Sequence, residues 1–141
     1  MNKQMFSLSD MASDFRHGYG VPNTPTNRIM QFRLIEEEYT EFTDALAEWI
    51  SKNGRTSPVN KDFHDVLKEL CDLVYVLAQF AENEGIDLDH AIQLVHESNM
   101  SKLGEDGKPI RREDGKILKG PNYAPADVTS CLGLTVPQLS N

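Results

Sequence analysis

LIEEEYTEFTDALAEWI, Leu34–Ile50, decides how this chain folds. Ile35, Tyr39, Phe42, Leu46, Trp49 and Ile50 recur there at spacings of three and four, the period of a helix with one apolar face. Among them sit Glu36, Glu37, Glu38 and Glu41, four glutamates in six positions, followed by Asp44 and Glu48. Like charges at helical spacing repel, and no lysine or arginine occurs between Arg33 and Lys52 to relieve them. A helix built only for solubility would mix both signs. The stretch therefore predicts a packed helix with an unmet need for positive charge.

Working outward, SLSDMASDFRHGYG offers Ser7 or Ser9 as the cap of an earlier helix that stops at Gly18 and Gly20. VPNTPTN is a proline-punctuated loop, with Thr26 or Asn27 a plausible cap for the acidic helix, which runs to about Ser51. SKNGRTSPVN breaks the chain with Asn-Gly and Ser-Pro turn signals. A third helix is predicted from about Lys61 to Glu84, closed by Gly85, with Phe63, Leu67, Leu70, Val74 and Leu77 as its stripe. A fourth starts near Asp87 and carries Ile92, Val95 and Met100. After Leu103 the texture changes to glycine and basic residues, and KPIRR, EDG and KILKG suit a small β-hairpin turning at Asp114-Gly115.

The expected fold is all-α. It is a single domain over 1–141, a four-to-five-helix bundle over 1–103 with a glycine-rich basic tail over 104–141. The apolar faces of the second and third helices, with Trp49, Ile50, Val74, Val76 and Leu77, exceed what one small bundle hides, so a homodimer or homotetramer is expected.

Composition removes several function classes. A formal net charge of -8 argues against a nucleic-acid partner held by its backbone. No apolar run approaches the ~20 residues of a membrane span, and MNKQMFSLSD lacks the apolar core of a signal peptide. No membrane partner and a cytoplasmic location (the host cytoplasm for a phage protein) are expected. Cys71 and Cys131 are far apart and read as free thiols.

The acids carry the chemistry. Glu38 and Glu41, three apart, share a helix face, as do Glu37 and Glu41, four apart. On the next helix Glu69 and Asp72 stand three apart. Asp72 is followed by LVYVLA, apolar all round, so it is expected to be buried. Lys68, the nearest cation, is read as lying on the opposite side of the helix. A buried carboxylate without a partner is costly, and a divalent cation between two carboxylate-bearing helices would resolve it. The oxygen-only donor set suits Mg²⁺ or Mn²⁺. Zinc prefers nitrogen and sulfur, and di-iron bundles need Glu-x-x-His pairs that this chain lacks. Glu36, Asp44 and Glu48 read as a solvated face.

EExxE (Glu37, Glu38, Glu41) followed by ExxD (Glu69, Asp72) resembles the MazG-like all-α nucleoside triphosphate pyrophosphohydrolases. The tail HESNMSKLGEDGKPIRREDGKILKGPNYAPADV is similar to that of MazG-like proteins of bacteria and phages, Ala126 standing where a second proline is common. The resemblance spans roughly residues 15–128. It implies hydrolysis of a nucleoside triphosphate at the α-phosphorus to monophosphate and pyrophosphate, with two or three Mg²⁺ or Mn²⁺ per site. Glu38, Glu41, Glu69 and Asp72, with Glu37, would hold the metals. Either Glu37 or Glu38 would activate the water. Asn99 and Lys102 would contact phosphate, and Lys116, Lys119 and Tyr123 would close over it. Phe15, His17, Gln31 and Leu34 lie where a base pocket could form. Phage-type, MazZ-like members point to dGTP or GTP as substrate. The alternatives are dUTP and, from another class, a noncatalytic acidic interaction module.

Overall fold

The computed structural model describes residues 7–134. The opening residues read above for a signal peptide therefore lie largely outside it. Two compact units are present, the first ending at Ile86 and the second beginning at Asp87.

The first unit holds α1 (Leu8–Gly18), a 3-10 turn (Pro25–Asn27), α2 (Arg28–Asn53), a second 3-10 turn (Lys61–Phe63) and α3 (His64–Asn83). Its boundaries follow local chemistry. Ser7 caps α1, its hydroxyl accepting the Asp10 N–H at 2.9 Å. Asn27 stands at the N-cap position of α2 without a side-chain capping bond, and Thr24 caps the 3-10 turn before it, accepting the Thr26 N–H. Pro25 occupies the first position after that cap, where a missing N–H costs nothing. Gly85 follows α3 at φ 70°, a conformation that favours glycine.

Both α1 and α2 pack on α3. Trp49 of α2 meets Phe63, just before α3, edge to face at 4.9 Å, while Glu38 meets Glu69, so the two long helices run antiparallel. The α2 stripe is as predicted at Ile35, Phe42, Leu46, Trp49 and Ile50, and differs at Tyr39. Tyr39 is 57% exposed, and the inward line is Gln31, Leu34, Ile35, Glu38, Phe42, Leu46 and Trp49. Glu38 thus occupies an inner position between Ile35 and Phe42.

A similar correction applies to α3. Its inward residues are Val66, Glu69, Leu73, Val76 and Ala78. The predicted stripe Leu67, Leu70, Val74 and Leu77 instead forms a second apolar face, between 37% and 54% exposed. Apolar residues cover more than one side of this helix, so periodicity alone selects the wrong one.

Arg16, 3% exposed, ties the unit together. Its guanidinium donates to the Pro22 carbonyl at 3.0 Å, to Asn23, to Gln79 at 3.3 Å and to Asn83 at 2.7 Å. Asn83 in turn donates to the Thr24 carbonyl, and Arg28 pairs with Glu84 at 2.8 Å. The α1–α2 loop is therefore locked onto the end of α3 through neutral acceptors that satisfy a buried charge.

The second unit contains α4 (Leu88–Met100), capped by Asp87, then an antiparallel ribbon of β1 (Ile110–Arg111) and β2 (Ile117–Leu118), and a 3-10 turn (Thr129–Cys131). The ribbon turns at Asp114-Gly115 as expected, with Gly115 at φ 85°. The tail is pinned along its own helix. Ser98 donates to the Ala124 carbonyl at 2.7 Å, the Ala124 N–H to Ser101 Oγ at 3.0 Å, and the Gly120 N–H to the Lys102 carbonyl at 2.9 Å. A Cβ on Gly120 would stand 2.3 Å from the Leu103 carbonyl oxygen, so only glycine fits this approach.

Four helices and one two-stranded ribbon make the described residues all-α in class, as expected. No helix among them is long and apolar enough to cross a membrane. Both cysteines are free, Cys71 exposed and Cys131 buried.

Candidate metal centre

Two inward carboxylates face each other where α2 crosses α3. Glu38, Glu41 and Glu69 each offer an oxygen, and these lie within 4.8 Å of one another. Glu38 Oε2 and Glu69 Oε2 are buried and have no hydrogen-bond partner. An orphaned buried carboxylate oxygen is costly, and the usual remedy is a cation or a donor aimed at it. Burial pushes the Glu38 carboxyl above its ordinary value, with further repulsion from Glu41, Asp72 and Glu69.

Asp72 borders this group but departs from its expected setting. Its side chain is 38% exposed and pairs with Lys68 Nζ at 2.7 Å. Residues four apart on a helix differ by only about 40° around the axis, so Lys68 and Asp72 share a face instead of opposing one another. The run after Asp72 is not buried all round either, since Val74, Tyr75 and Leu77 are exposed. Lys68 also approaches Glu69 at 3.4 Å. Hydrogen bonds to Asp72 and then Glu69 raise its pKa, so it stays charged. Four carboxylates still face a single ammonium. The deficit read from the sequence persists after this correction, and it now rests on Glu38 and Glu69.

An oxygen-only cluster with two orphaned buried oxygens fits a hard divalent cation. Glu37 is exposed on α2, one position before Glu38 and one turn from Glu41. Beyond the acids, a cavity of about 470 Å³ opens between the ends of α2 and α3, lined by Ala45, Trp49, Lys52, Lys61, Asp62 and Asp65. Its lining mixes both charges.

The base-pocket candidates differ in exposure. Phe15 is 40% exposed, and His17 is exposed. Gln31 is 4% exposed with Oε1 unpartnered, and Leu34 is half-buried. Phe15 packs against Tyr19 with ring centroids 4.6 Å apart and meets Tyr75 edge to face at 5.8 Å. The sequence reading assigns no role to Tyr75 or the buried Arg16, and it places Lys68 on the wrong side of α3. The i, i+4 spacing of Lys68 and Asp72 was a usable signal for one of them.

The phosphate-contact candidates are largely brought together within the second unit. Lys102 Nζ donates to Asn99 Oδ1 at 3.1 Å. Lys119 Nζ stands 4.7 Å from the centre of the Tyr123 ring, and Gly120 anchors that segment to the Lys102 carbonyl. Lys116 lies on the ribbon side of this group, its N–H held by Asp114. Arg112 is paired with Asp114 and so is less free for a ligand.

The family model described as phosphoribosyl-ATP pyrophosphohydrolase matches residues 20–99, a span that contains Glu37, Glu38, Glu41, Glu69 and Asp72. No curated protein matches the chain.

Proposed function

This chain belongs to the phosphoribosyl-ATP pyrophosphohydrolase family, within the MazG-like all-α superfamily, and from that premise we propose that it hydrolyses a nucleoside triphosphate to monophosphate and pyrophosphate. Nucleotide pyrophosphohydrolysis, the cleavage of an acid anhydride, is what the family supports at the coarser level. The carrying observation is the pair of partnerless buried oxygens on Glu38 and Glu69 beside Glu41.

Glu38, Glu41, Glu69 and Asp72 would hold Mg²⁺ or Mn²⁺, two or three ions per site. Such ions, when bound, lower the pKa of a ligated water, clamp the phosphates and neutralise charge on the leaving pyrophosphate. Lys68 would give up Asp72 and Glu69 as the metals load, its charge being redundant beside theirs. Glu37 or Glu38 would orient the attacking water and take its proton. Attack at the α-phosphorus forms the new P–O bond and breaks the bridge to the β-phosphate, so pyrophosphate leaves with the electron pair. Asn99, Lys102, Lys116, Lys119 and Tyr123 are assigned to phosphate on the second unit. Phe15, His17 and Gln31 are assigned to the base end on the first.

For substrate, dGTP or GTP is the favoured reading, from the phage-type tail, and dUTP is the runner-up. The noncatalytic acidic module is disfavoured by the burial of two of the acids. A docking face wants exposed acids, whereas Glu38 and Glu69 keep oxygens out of water.

The test is product analysis on a panel of dNTPs, NTPs and phosphoribosyl-ATP with Mg²⁺ or Mn²⁺, beside Glu38→Gln and Asp72→Asn. Monophosphate with equimolar pyrophosphate, lost in both variants, supports the proposal and names the substrate. No turnover by folded, metal-loaded protein returns the acids to a binding role.

A further inference from the structure

Three aromatic rings stand at the surface of the first unit beside the acids, and the acid chemistry does not use them. Phe15, Tyr19 and Tyr75 are 40%, 75% and 36% exposed, yet they hold one another at 4.6 and 5.8 Å. Tyr75 lies three residues beyond Asp72 on α3, so the two side chains are neighbours on one helix face, roughly 5–6 Å apart at Cβ. The cluster therefore begins where the acids end.

Its geometry is fixed from below. Arg16, adjacent to Phe15, is buried and donates to Pro22, Asn23, Gln79 and Asn83. Gln79, one turn beyond Tyr75, also donates to the Ala12 carbonyl of α1. These bonds hold α1 and α3 at one register, and with them Phe15 against Tyr75. Exposed rings held rigid next to a phosphate-chemistry site suit a flat π-system, since a base can stack at little entropic cost. The other large opening, between the ends of α2 and α3, offers no comparable face. Its indole, Trp49, is 8% exposed and already edge-on to Phe63, and its other ring is the single imidazole of His64.

We propose that Phe15 and Tyr75 form the stacking surface for the nucleobase of the substrate, and that Arg16 is the positioning residue that sets it. This rests on the pyrophosphohydrolase reading above. It orients the nucleotide with its base toward α1 and its α-phosphate at the acids. Stacking tolerates any base, so choice among bases falls to hydrogen-bonding groups, for which the buried, unpartnered acceptor of Gln31 on α2 is a candidate.

The experiment measures steady-state kinetics and product inhibition in wild type, Phe15→Ala, Tyr75→Ala, Tyr75→Phe, Arg16→Lys and Arg16→Ala. Loss of a stacked ring is expected to raise KM about tenfold with kcat little changed. Inhibition by the nucleoside monophosphate should weaken in parallel. Inhibition by pyrophosphate, which has no base, should not move. Tyr75→Phe keeps the ring and should restore wild-type KM, and Arg16→Lys should restore part of what Arg16→Ala loses in KM. A KM within roughly twofold of wild type in both alanine variants overturns the proposal. So does parallel loss of both inhibitions, or a changed mass by light scattering that makes the rings a subunit interface. If wild type turns over no nucleotide, the pyrophosphohydrolase reading fails by itself. Calorimetric titration of nucleoside monophosphates with Mn²⁺ into wild type and Tyr75→Ala then decides the stacking surface, which is overturned by equal affinities or by no binding to either protein.

Discussion

Glu38 is the residue on which the site turns, because it is both inward-facing and acidic. Its carboxyl sits above its ordinary value through burial and through Glu41, Asp72 and Glu69. An acid raised in this way favours the folded state while protonated, and that contribution is lost as pH rises through the folded value. Metal-free protein should therefore lose stability as pH climbs above the ordinary carboxylate range. Glu38→Gln should remove that loss, raise the metal-free Tm by about a few degrees near neutrality and abolish the upward shift on adding Mn²⁺. Calorimetry across pH with and without metal checks all three. Lys68 supplies a second expectation. Its ammonium holds Asp72 and Glu69, two of the carboxylates a cation would use, so Lys68→Ala should tighten Mn²⁺ binding by roughly severalfold, measured by titration. The acids were legible in the sequence because a helix places residues three and four apart on one face. The same rule carries the partner of Asp72, since Lys68 stands four residues before it on that face.

Among the elements, helix ends were easier to read than helix faces. Ser7, Asp87, Gly85 and the Asp114-Gly115 turn act through local backbone chemistry, which a sequence carries within a few positions. Faces depend on partners that sequence does not supply. Tyr39 fits the apolar period of α2 as well as its neighbours do, yet it points outward while Glu38 points in. On α3, apolar residues on two sides left the choice open, and α1 and α2 occupy the side of Val66, Leu73 and Ala78. The tail's attachment to α4 was visible only as a glycine. Gly120→Ala forces a methyl to 2.3 Å from the Leu103 carbonyl oxygen. It is expected to destabilise the second unit by about 1–3 kcal/mol. Amide hydrogen exchange should show faster exchange confined to residues after α4.

At the scale of the whole molecule, the outward stripe of Leu67, Leu70, Val74 and Leu77 on α3 is expected to be a self-association surface. Light scattering should give a dimer or tetramer, and Tm should rise with protein concentration. Leu70→Lys with Leu77→Lys should yield a monomer, and an unchanged mass would place the interface elsewhere. The all-α class was readable from periodicity alone. The apolar surplus was readable as well, since the helices carry more apolar positions than their inward faces use, but which stripe it would occupy was not.

The buried guanidinium of Arg16 has a consequence for how this chain can change over time. Its acceptors come from Pro22, Asn23, Gln79 and Asn83, so one charge depends on positions up to 67 residues apart. Changing any one of the side-chain acceptors Asn23, Gln79 and Asn83 strands a donor at about 1–3 kcal/mol, and changing Arg16 strands several acceptors together. Viable histories must therefore alter these sites in concert. A pairwise mutational scan should find strong epistasis among them, as if one residue had been divided among distant codons.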